Sequence, residues 1–247
     1  MSAPTDRFVS DRLPPRGQWP QFLYDGLPTL DVPDQVNLVE ALLARAEAAG
    51  HGDKPMLRSP QRTLSYRQAR LEIERIAQVL LEDLALTPGN RVLLRGGNSL
   101  EMALAWLGVV KAGMVALATM PLLRSRELSD ILEKAQPAAA LCDARLLEEL
   151  EIARALPTGA TLKTVLHFNA PGEAGSLETL AAAKTGRSAW PVTGADDIAL
   201  MAFTSGTTGK PKAPVHSHRD VLAACEAWPR HVLQIQADDV VVGSPPL

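Results

Sequence analysis

The sequence predicts an α/β fold, a mostly parallel sheet in layers flanked by helices. From residue 88 onward, short apolar runs alternate with segments of helical periodicity, which is typical of parallel strands joined by helical crossovers. The uncharged apolar run 198–203 suits a strand buried on both faces, and it turns directly into a segment rich in glycine and hydroxyl groups. Right-handed crossovers would place the loops at one sheet edge, where ligands usually bind.

Composition excludes several classes of function. The 247 residues carry a net charge of −3, which argues against a surface for nucleic acid, and no apolar run approaches the length of a membrane span. The N-terminus lacks the apolar region of a signal peptide. Cys142 and Cys225 are far apart, so we predict two buried apolar thiols, no disulfide and a cytoplasmic location.

The first 36 residues form a proline-rich arm ahead of the domain predicted at 37–247. Trp19, Phe22 and Tyr24 suggest that the arm packs along a neighbouring surface, and the alternative is a disordered tail. Behind it, Asn37 and Glu40 predict a capping box for a helix that ends at Gly50.

The remaining elements follow from periodicity and capping residues. A second helix opens at Ser65 with Gln68 as its capping partner, and Lys111 is interpreted as the cation at the end of another helix. Ser217 with Asp220 predicts a capping box for the helix 221–232, which Pro229 should kink. The predicted strands are 56–58, 63–64, 91–94, 114–118, 138–142, 164–168 and 240–242, the other helices are 100–112, 126–135 and 144–156, and 170–197 is a surface excursion with at most one short helix.

The segment 204–212 has the composition of a polyanion-binding loop. Gly206 and Gly209 can adopt positive φ and let backbone N–H groups approach a ligand closely. Hydroxyl groups donate further hydrogen bonds, and lysine neutralises charge. The predicted phosphate-binding residues are Thr204, Ser205, Gly206, Thr207, Thr208, Gly209, Lys210 and Lys212.

Other readings of this loop fit less well. A Walker A motif requires glycine at position 204 and a helix after Lys210, where Pro211 stands instead. A dinucleotide fingerprint fails because the first glycine of GxGxxG is missing. A flexible linker does not usually start from a buried strand and end at Pro-Lys.

Two histidines and one cysteine invite other chemistry. His216 and His218 could begin a zinc site, but Asp220 is better used as a helix cap and no further ligand lies nearby. Cys225 has no general base in view, so we do not predict a catalytic thiol.

FTSGTTGKPK at 203–212 resembles the phosphate-loop signature of the adenylate-forming superfamily, which includes acyl- and aryl-CoA ligases, luciferases and peptide-synthetase adenylation domains. LSYRQ at 64–68 and VKAGMVA at 110–116 resemble two further segments of that superfamily. FVSDRLPPRGQWP at 8–20, MPLLRSREL at 120–128 and APVHSHRD at 213–220 resemble its benzoate and 2-aminobenzoate CoA ligase branch.

This resemblance implies ATP-dependent activation of a small aromatic acid, with Mg²⁺ bridging the phosphates and coenzyme A as the thiol cosubstrate. It implies that His216 or His218 lines the wall between loop and pocket, a structural role for both being the alternative. The family's catalytic residues would lie beyond Leu247. The chain is therefore expected to be an incomplete N-terminal domain, whether a truncated sequence, a gene remnant or a split product, that binds nucleotide without completing adenylation.

Two other functions stay open at this stage. One is a non-catalytic nucleotide-binding or interaction module that keeps the sheet and loop as a scaffold. The other is a phosphotransferase, which the missing Walker geometry disfavours.

Overall fold

The computed structural model describes residues 6–27, 30–204 and 211–243. The elements alternate as the sequence predicts from β3 onward. The strands are β1 (Pro55–Arg58), β2 (Thr63–Ser65), β3 (Arg91–Arg95), β4 (Val115–Thr119), β5 (Ala139–Asp143), β6 (Thr164–Phe168), β7 (Ile198–Ala202) and β8 (Val215–Ser217). The α-helices are α1 (Leu38–Ala48), α2 (Tyr66–Gln78), α3 (Leu100–Lys111), α4 (Ser125–Ala135), α5 (Leu147–Arg154), α6 (Leu177–Ala182) and α7 (His218–Glu226).

The main sheet has six strands in the order β6-β5-β3-β4-β7-β8. The first five strands run parallel, and β8 returns antiparallel to β7. Strands β3 and β5 are buried at every position, as expected for central strands covered on both faces. These features confirm the predicted fold class.

Helices cover both faces of this sheet. Helices α1, α2, α3 and α6 pack on one face in a core that includes Ile73, Leu104 and Met114. Helices α4 and α5 pack on the other face around Leu128 and Leu150. The connection from β3 to β4 runs through α3 on the first face, and the connection from β5 to β6 runs through α5 on the second face. Since β4 and β6 lie on opposite sides of the β5–β3 pair, these two connections lead away from the middle of the sheet in opposite directions.

The N-terminal arm contacts the second face through its first described residues. Asp6 accepts hydrogen bonds from Asn90 at 2.7 Å and Arg91 at 2.5 Å, and Val9 is buried. The Phe8 ring lies near two guanidinium groups, 3.8 Å from Arg12 Cζ and 4.1 Å from Arg91 Cζ. Trp19 and Phe22, which the sequence favours for packing, are exposed instead.

One predicted helix cap needs correction. Asn37 Oδ1 accepts from the N–H groups of Val39 and Glu40, but the Glu40 carboxylate does not cap in return. It pairs instead with Lys111 and Arg70, at 2.5 and 3.0 Å. Lys111 ends α3 as predicted, and its side chain is buried in this ion pair.

The region after the loop also differs from prediction. Helix α7 begins at His218 and ends at Glu226, and a π-helical segment, Ala227–Leu233, follows. The change falls where Pro229 lacks the N–H group that an α-helix needs. The predicted strand 240–242 is exposed and irregular, since no neighbouring strand pairs with it in the described part of the chain.

Two predictions of burial were wrong. Cys225 is exposed on α7, whereas Cys142 is buried as expected. Strand β7 is only partly covered, with Ala199 and Met201 buried and Ala202 exposed. Within the described ranges, no helix is long and apolar enough to cross a membrane.

Candidate functional site

The predicted phosphate loop starts from a closed hairpin. Thr204 N–H donates to Lys212 O at 3.0 Å, and Lys212 N–H donates to Thr204 O at 3.1 Å. One step further in, Ala202 N–H donates to Pro214 O at 3.0 Å. The main chain is therefore pinned on both sides of the loop. Six of the predicted site residues lie outside the described residues: Ser205, Gly206, Thr207, Thr208, Gly209 and Lys210.

The two described ends of the loop are accessible. Thr204 and Lys212 are both exposed, and they sit beyond the carboxyl end of β7. Strand β7 pairs in parallel with β4, with Ala118 opposite Ala202, so the loop leaves the sheet beside the segment 120–124 that follows β4. This is the sheet edge at which parallel α/β proteins usually bind ligands.

Lys134 is a loop contact that sequence reasoning missed. Its Nζ donates to Pro211 O at 2.8 Å from the exposed side of α4. The two residues are 77 positions apart, so no local pattern links them. Their contact depends on the packing of α4 on the second face of the sheet. It brings a second cation, besides Lys212, to the end of the loop.

Arg95 is a second residue that the sequence did not single out. The side chain is buried at the carboxyl end of β3, and its guanidinium donates to four main-chain carbonyls: Leu146, Met120, Pro121 and Leu123, at 2.8–3.3 Å. Burial lowers the pKa of Arg95, but arginine keeps its charge in proteins. No carboxylate lies within ion-pair distance of it in the described ranges.

This arrangement has two consequences for the neighbouring loop. Three of the four hydrogen bonds fix the segment 120–123 beside the carboxyl end of β7. The positive charge of Arg95 raises the electrostatic potential of this edge, because a charge in a low-dielectric interior is weakly screened. Both effects favour a polyanion at the edge.

His218 occupies a structural position, away from the loop. It is buried, and its Nδ1 accepts from the N–H of Leu38 at 3.2 Å, at the start of α1. Burial lowers the pKa of His218 to about 4, so the ring stays neutral.

His216 faces a different environment. It is exposed on β8 and lines a shallow pocket of about 300 Å³ with Tyr24 and Asp220. Among the described residues, no group of three His, Cys, Asp or Glu side chains is arranged to hold a metal ion. Asp220 does serve as the predicted cap, since its carboxylate accepts from Ser217 N–H at 2.8 Å.

The cysteines lack the surroundings of a nucleophile. Burial raises the pKa of Cys142 to about 12, so its thiol stays protonated in the sheet. Cys225 also has a raised pKa, and the cause is again burial of the sulfur despite the exposed position of the residue. Neither thiol carries the depressed pKa that activates cysteine in catalysis.

A known protein family and curated relatives resemble this chain over most of its length. A family model described as AMP-binding enzyme matches residues 44–247. The benzoate–CoA ligase of Thauera aromatica is 28% identical over 87% of this chain and 40% of the relative. The 4-hydroxybenzoate–CoA/benzoate–CoA ligase of Rhodopseudomonas palustris is 30% identical over 80% of this chain and 36% of the relative.

The fold agrees with solved structures. The anthranilate CoA ligase AuaEII, in complex with anthranoyl-AMP, superposes with a TM-score of 0.74 at 24% identity, over 82% of this chain and 38% of that one. The chain spans about two fifths of the length of the curated relatives it matches. Given the extent of the family match, the chain belongs to the AMP-binding enzyme family.

Proposed function

We propose that this chain supplies the phosphate-binding loop and part of the scaffold of a ligase that activates an aromatic carboxylate with ATP and passes it to coenzyme A. The supporting observation is the hairpin base, where paired hydrogen bonds between Thr204 and Lys212 present the loop at the carboxyl edge of a parallel sheet. The names of the two benzoate–CoA ligase relatives support the choice of substrate class.

In this proposal, eight residues bind the β- and γ-phosphates: Thr204, Ser205, Gly206, Thr207, Thr208, Gly209, Lys210 and Lys212. Arg95 and Lys134 position the loop without binding the phosphates. Arg95 fixes the adjoining segment 120–123, and Lys134 donates a hydrogen bond to Pro211 at the end of the loop. The proposed organisation is an arm at 1–36 and a nucleotide-binding unit at 37–247.

The chemistry consists of two displacements. A carboxylate oxygen attacks the α-phosphorus, the bond to the β-phosphate oxygen breaks, and pyrophosphate leaves. The thiol of coenzyme A then attacks the carbonyl carbon of the acyl-adenylate, loses its proton, and AMP leaves. The loop contributes by holding the leaving pyrophosphate in line and by stabilising its charge.

Magnesium fits this loop as an ion carried by the nucleotide. The described ends of the loop offer a hydroxyl and a lysine but no carboxylate. Mg²⁺ commonly keeps several waters and binds through substrate phosphates, so such a site needs few protein ligands. When bound, the ion neutralises charge on the phosphates.

ATP titration of Lys212→Ala tests the phosphate-binding role. We expect ATP affinity to fall about 10- to 100-fold, because a charge-assisted hydrogen bond contributes about 1.5–3 kcal/mol. Lys54→Ala is the matched control, since Lys54 is exposed at the start of the separate β1–β2 hairpin. Equal ATP affinity in wild type and Lys212→Ala would contradict the proposal.

Turnover is measured separately, by exchange of labelled pyrophosphate into ATP in the presence of benzoate or 2-aminobenzoate. Exchange that depends on the acid supports the ligase reaction in this chain. ATP binding without exchange supports the alternative, a nucleotide-binding module that does not carry out the reaction alone.

A further inference from the structure

The last turn of α4 contacts the end of the phosphate loop on one side and, through Arg91, the N-terminal arm on the other. Lys134 lies in this turn, and its Nζ donates to Pro211 O at 2.8 Å. Pro211 directly precedes Lys212, whose main chain closes the base of the loop with Thr204. The position of this helical turn therefore affects the hairpin base.

Arg91 holds the end of the same turn. Its Nε donates to Ala135 O at 2.8 Å and its Nη2 donates to Gln136 O at 2.6 Å. Its own carbonyl accepts from Ala138 N–H at 2.9 Å. A cation at the end of a helix interacts favourably with the helix dipole and satisfies carbonyls that lack helical donors. One buried arginine thus fixes the chain from 135 to 138.

The arm in turn holds Arg91. The Arg91 Nη1 contacts Asp6 Oδ2 at 2.5 Å, and the Phe8 ring lies 4.1 Å from Arg91 Cζ. Within the described ranges, Asp6 is the carboxylate at ion-pair distance from this guanidinium. The two side chains are 6% and 22% exposed, so departure of the arm would remove the counter-charge of a buried cation.

The arm therefore has two states that change the surroundings of the α4 turn. With the arm docked, Arg91 is held between Asp6 and the two carbonyls. With the arm undocked, the guanidinium is buried without a carboxylate, which is strongly unfavourable, so it turns toward water and loosens its hold on the helix end. Such an element with two arrangements is what energetic coupling between distant sites requires.

We infer that docking of the N-terminal arm closes the base of the phosphate loop, with Arg91 and the last turn of α4 as the physical connection. The consequence for nucleotide binding rests on the proposed function of the loop, whereas the effect on the hairpin base does not. Arg91 and Lys134 are positioning residues, since both act on the main chain of their neighbours.

Amide hydrogen exchange, measured by NMR on the 247-residue protein, tests the inference without nucleotide. The N–H groups of Thr204 and Lys212 form the paired hydrogen bonds of the hairpin base, so their exchange rates report its opening. We expect Asp6→Ala to raise both rates about 2- to 5-fold, and Lys134→Ala to do the same. In the Lys134→Ala background, Asp6→Ala should have no further effect. Exchange in β6 is the internal reference for global unfolding.

Two control variants match these changes. Asp11→Ala removes an exposed carboxylate that pairs with Arg7 inside the arm. Lys163→Ala removes an exposed lysine that donates to Ala160 O at 2.7 Å, far from the loop in the chain. Neither variant should change exchange at the hairpin base.

Nucleotide provides the reciprocal test. Because a coupling free energy acts equally in both directions, saturating ATP should slow tryptic cleavage after Arg12 about 2- to 5-fold in the wild type and leave it unchanged in Lys134→Ala. ATP that binds without slowing cleavage in the wild type would contradict the inference. Failure of ATP to bind at all would contradict the proposed function instead, and the exchange rates would still decide the inference.

Asp6→Asn keeps the inference testable if Asp6→Ala does not fold, since it removes the charge and preserves the size of the side chain. The expected result is the same rise in exchange at Thr204 and Lys212. Unchanged exchange there, a rise equal to that in β6, or the same rise with and without Lys134 would overturn the inference.

Discussion

His218 caps a helix that lies 180 residues earlier in the chain. The N–H of Leu38 is one of the donors that the start of α1 leaves without a helical partner, and Nδ1 of His218 accepts it at 3.2 Å. Only an unprotonated Nδ1 can accept, so this contact requires the neutral ring. Burial lowers the pKa of His218 to about 4, which keeps the ring neutral at ordinary pH.

The first prediction follows from this lowered pKa. Between about pH 6.5 and about pH 4 the unfolded chain binds a proton at His218 and the folded chain does not, so stability falls as pH falls. We expect a loss of about 1 kcal/mol from this group between pH 7 and pH 5.5. Urea unfolding across this range, compared with His218→Asn, isolates the effect.

Asparagine offers an acceptor near the Nδ1 position but does not titrate, so the variant should show a shallower loss of stability with acid. The same pH slope in both proteins would show that His218 is not the titrating group. The pattern His-x-His gave no indication of this role, because the partner is a main-chain N–H in a distant helix.

At the scale of elements, helices α2 and α3 pack closely because Gly108 has no side chain. A Cβ at Gly108 would be 2.5 Å from Ile76 Cγ2 and 2.9 Å from Ile76 Cβ. Such distances require the helices to move apart. The helical periodicity of both segments is legible in the sequence, but the close crossing is not.

The second prediction is that Gly108→Ala destabilises the fold despite the better helix propensity of alanine. The gain in propensity is about 1 kcal/mol, and overpacking a core contact costs about 1–3 kcal/mol. We therefore expect a net loss of stability in urea unfolding. Gly97→Ala is the control, since no atom of the described residues lies within 4 Å of a Cβ built there. Equal stability of the two variants would contradict the close contact.

The boundaries of the elements show where local signals suffice. Strand β6 has the predicted bounds, and the capping boxes at Ser65 and Ser217 form as the spacing indicates. The capping box at Asn37 fails because Lys111 and Arg70 compete for the Glu40 carboxylate. A capping residue can be read locally, but a competing cation on another helix cannot.

At the scale of the whole molecule, the arm is held to the sheet domain at two places, by contacts near its start and by main-chain hydrogen bonds of Asp34 and Val36 to Ala195 and Thr193 near its end. The Phe8 ring lies between the guanidinium groups of Arg12 and Arg91, and Asp6 pairs with Arg91. Later arm residues such as Phe22 are exposed. Local opening of the arm should therefore depend on Phe8 more than on the later aromatics.

The third prediction is that Phe8→Ala speeds tryptic cleavage after Arg12 and Arg16 about 10-fold, because each lost cation–π contact contributes about 0.5–1 kcal/mol to the closed arm. The cleavage rate is measured by mass spectrometry under native conditions. Phe22→Ala is the control and should cleave at the wild-type rate. If both variants cleave equally fast, Phe8 does not anchor the arm.

The sequence by itself determined the α/β class and the positions of most strands and helices along the chain. It also determined that the glycine-rich segment directly follows β7. These features could be predicted because periodicity and turn chemistry act over a few neighbouring residues. The tertiary structure decided which distant charges meet. It placed Arg95 beside the carbonyls of 120–123 and Lys134 beside Pro211. These contacts depend on crossovers that join residues tens of positions apart, and such distances leave no local pattern in a sequence.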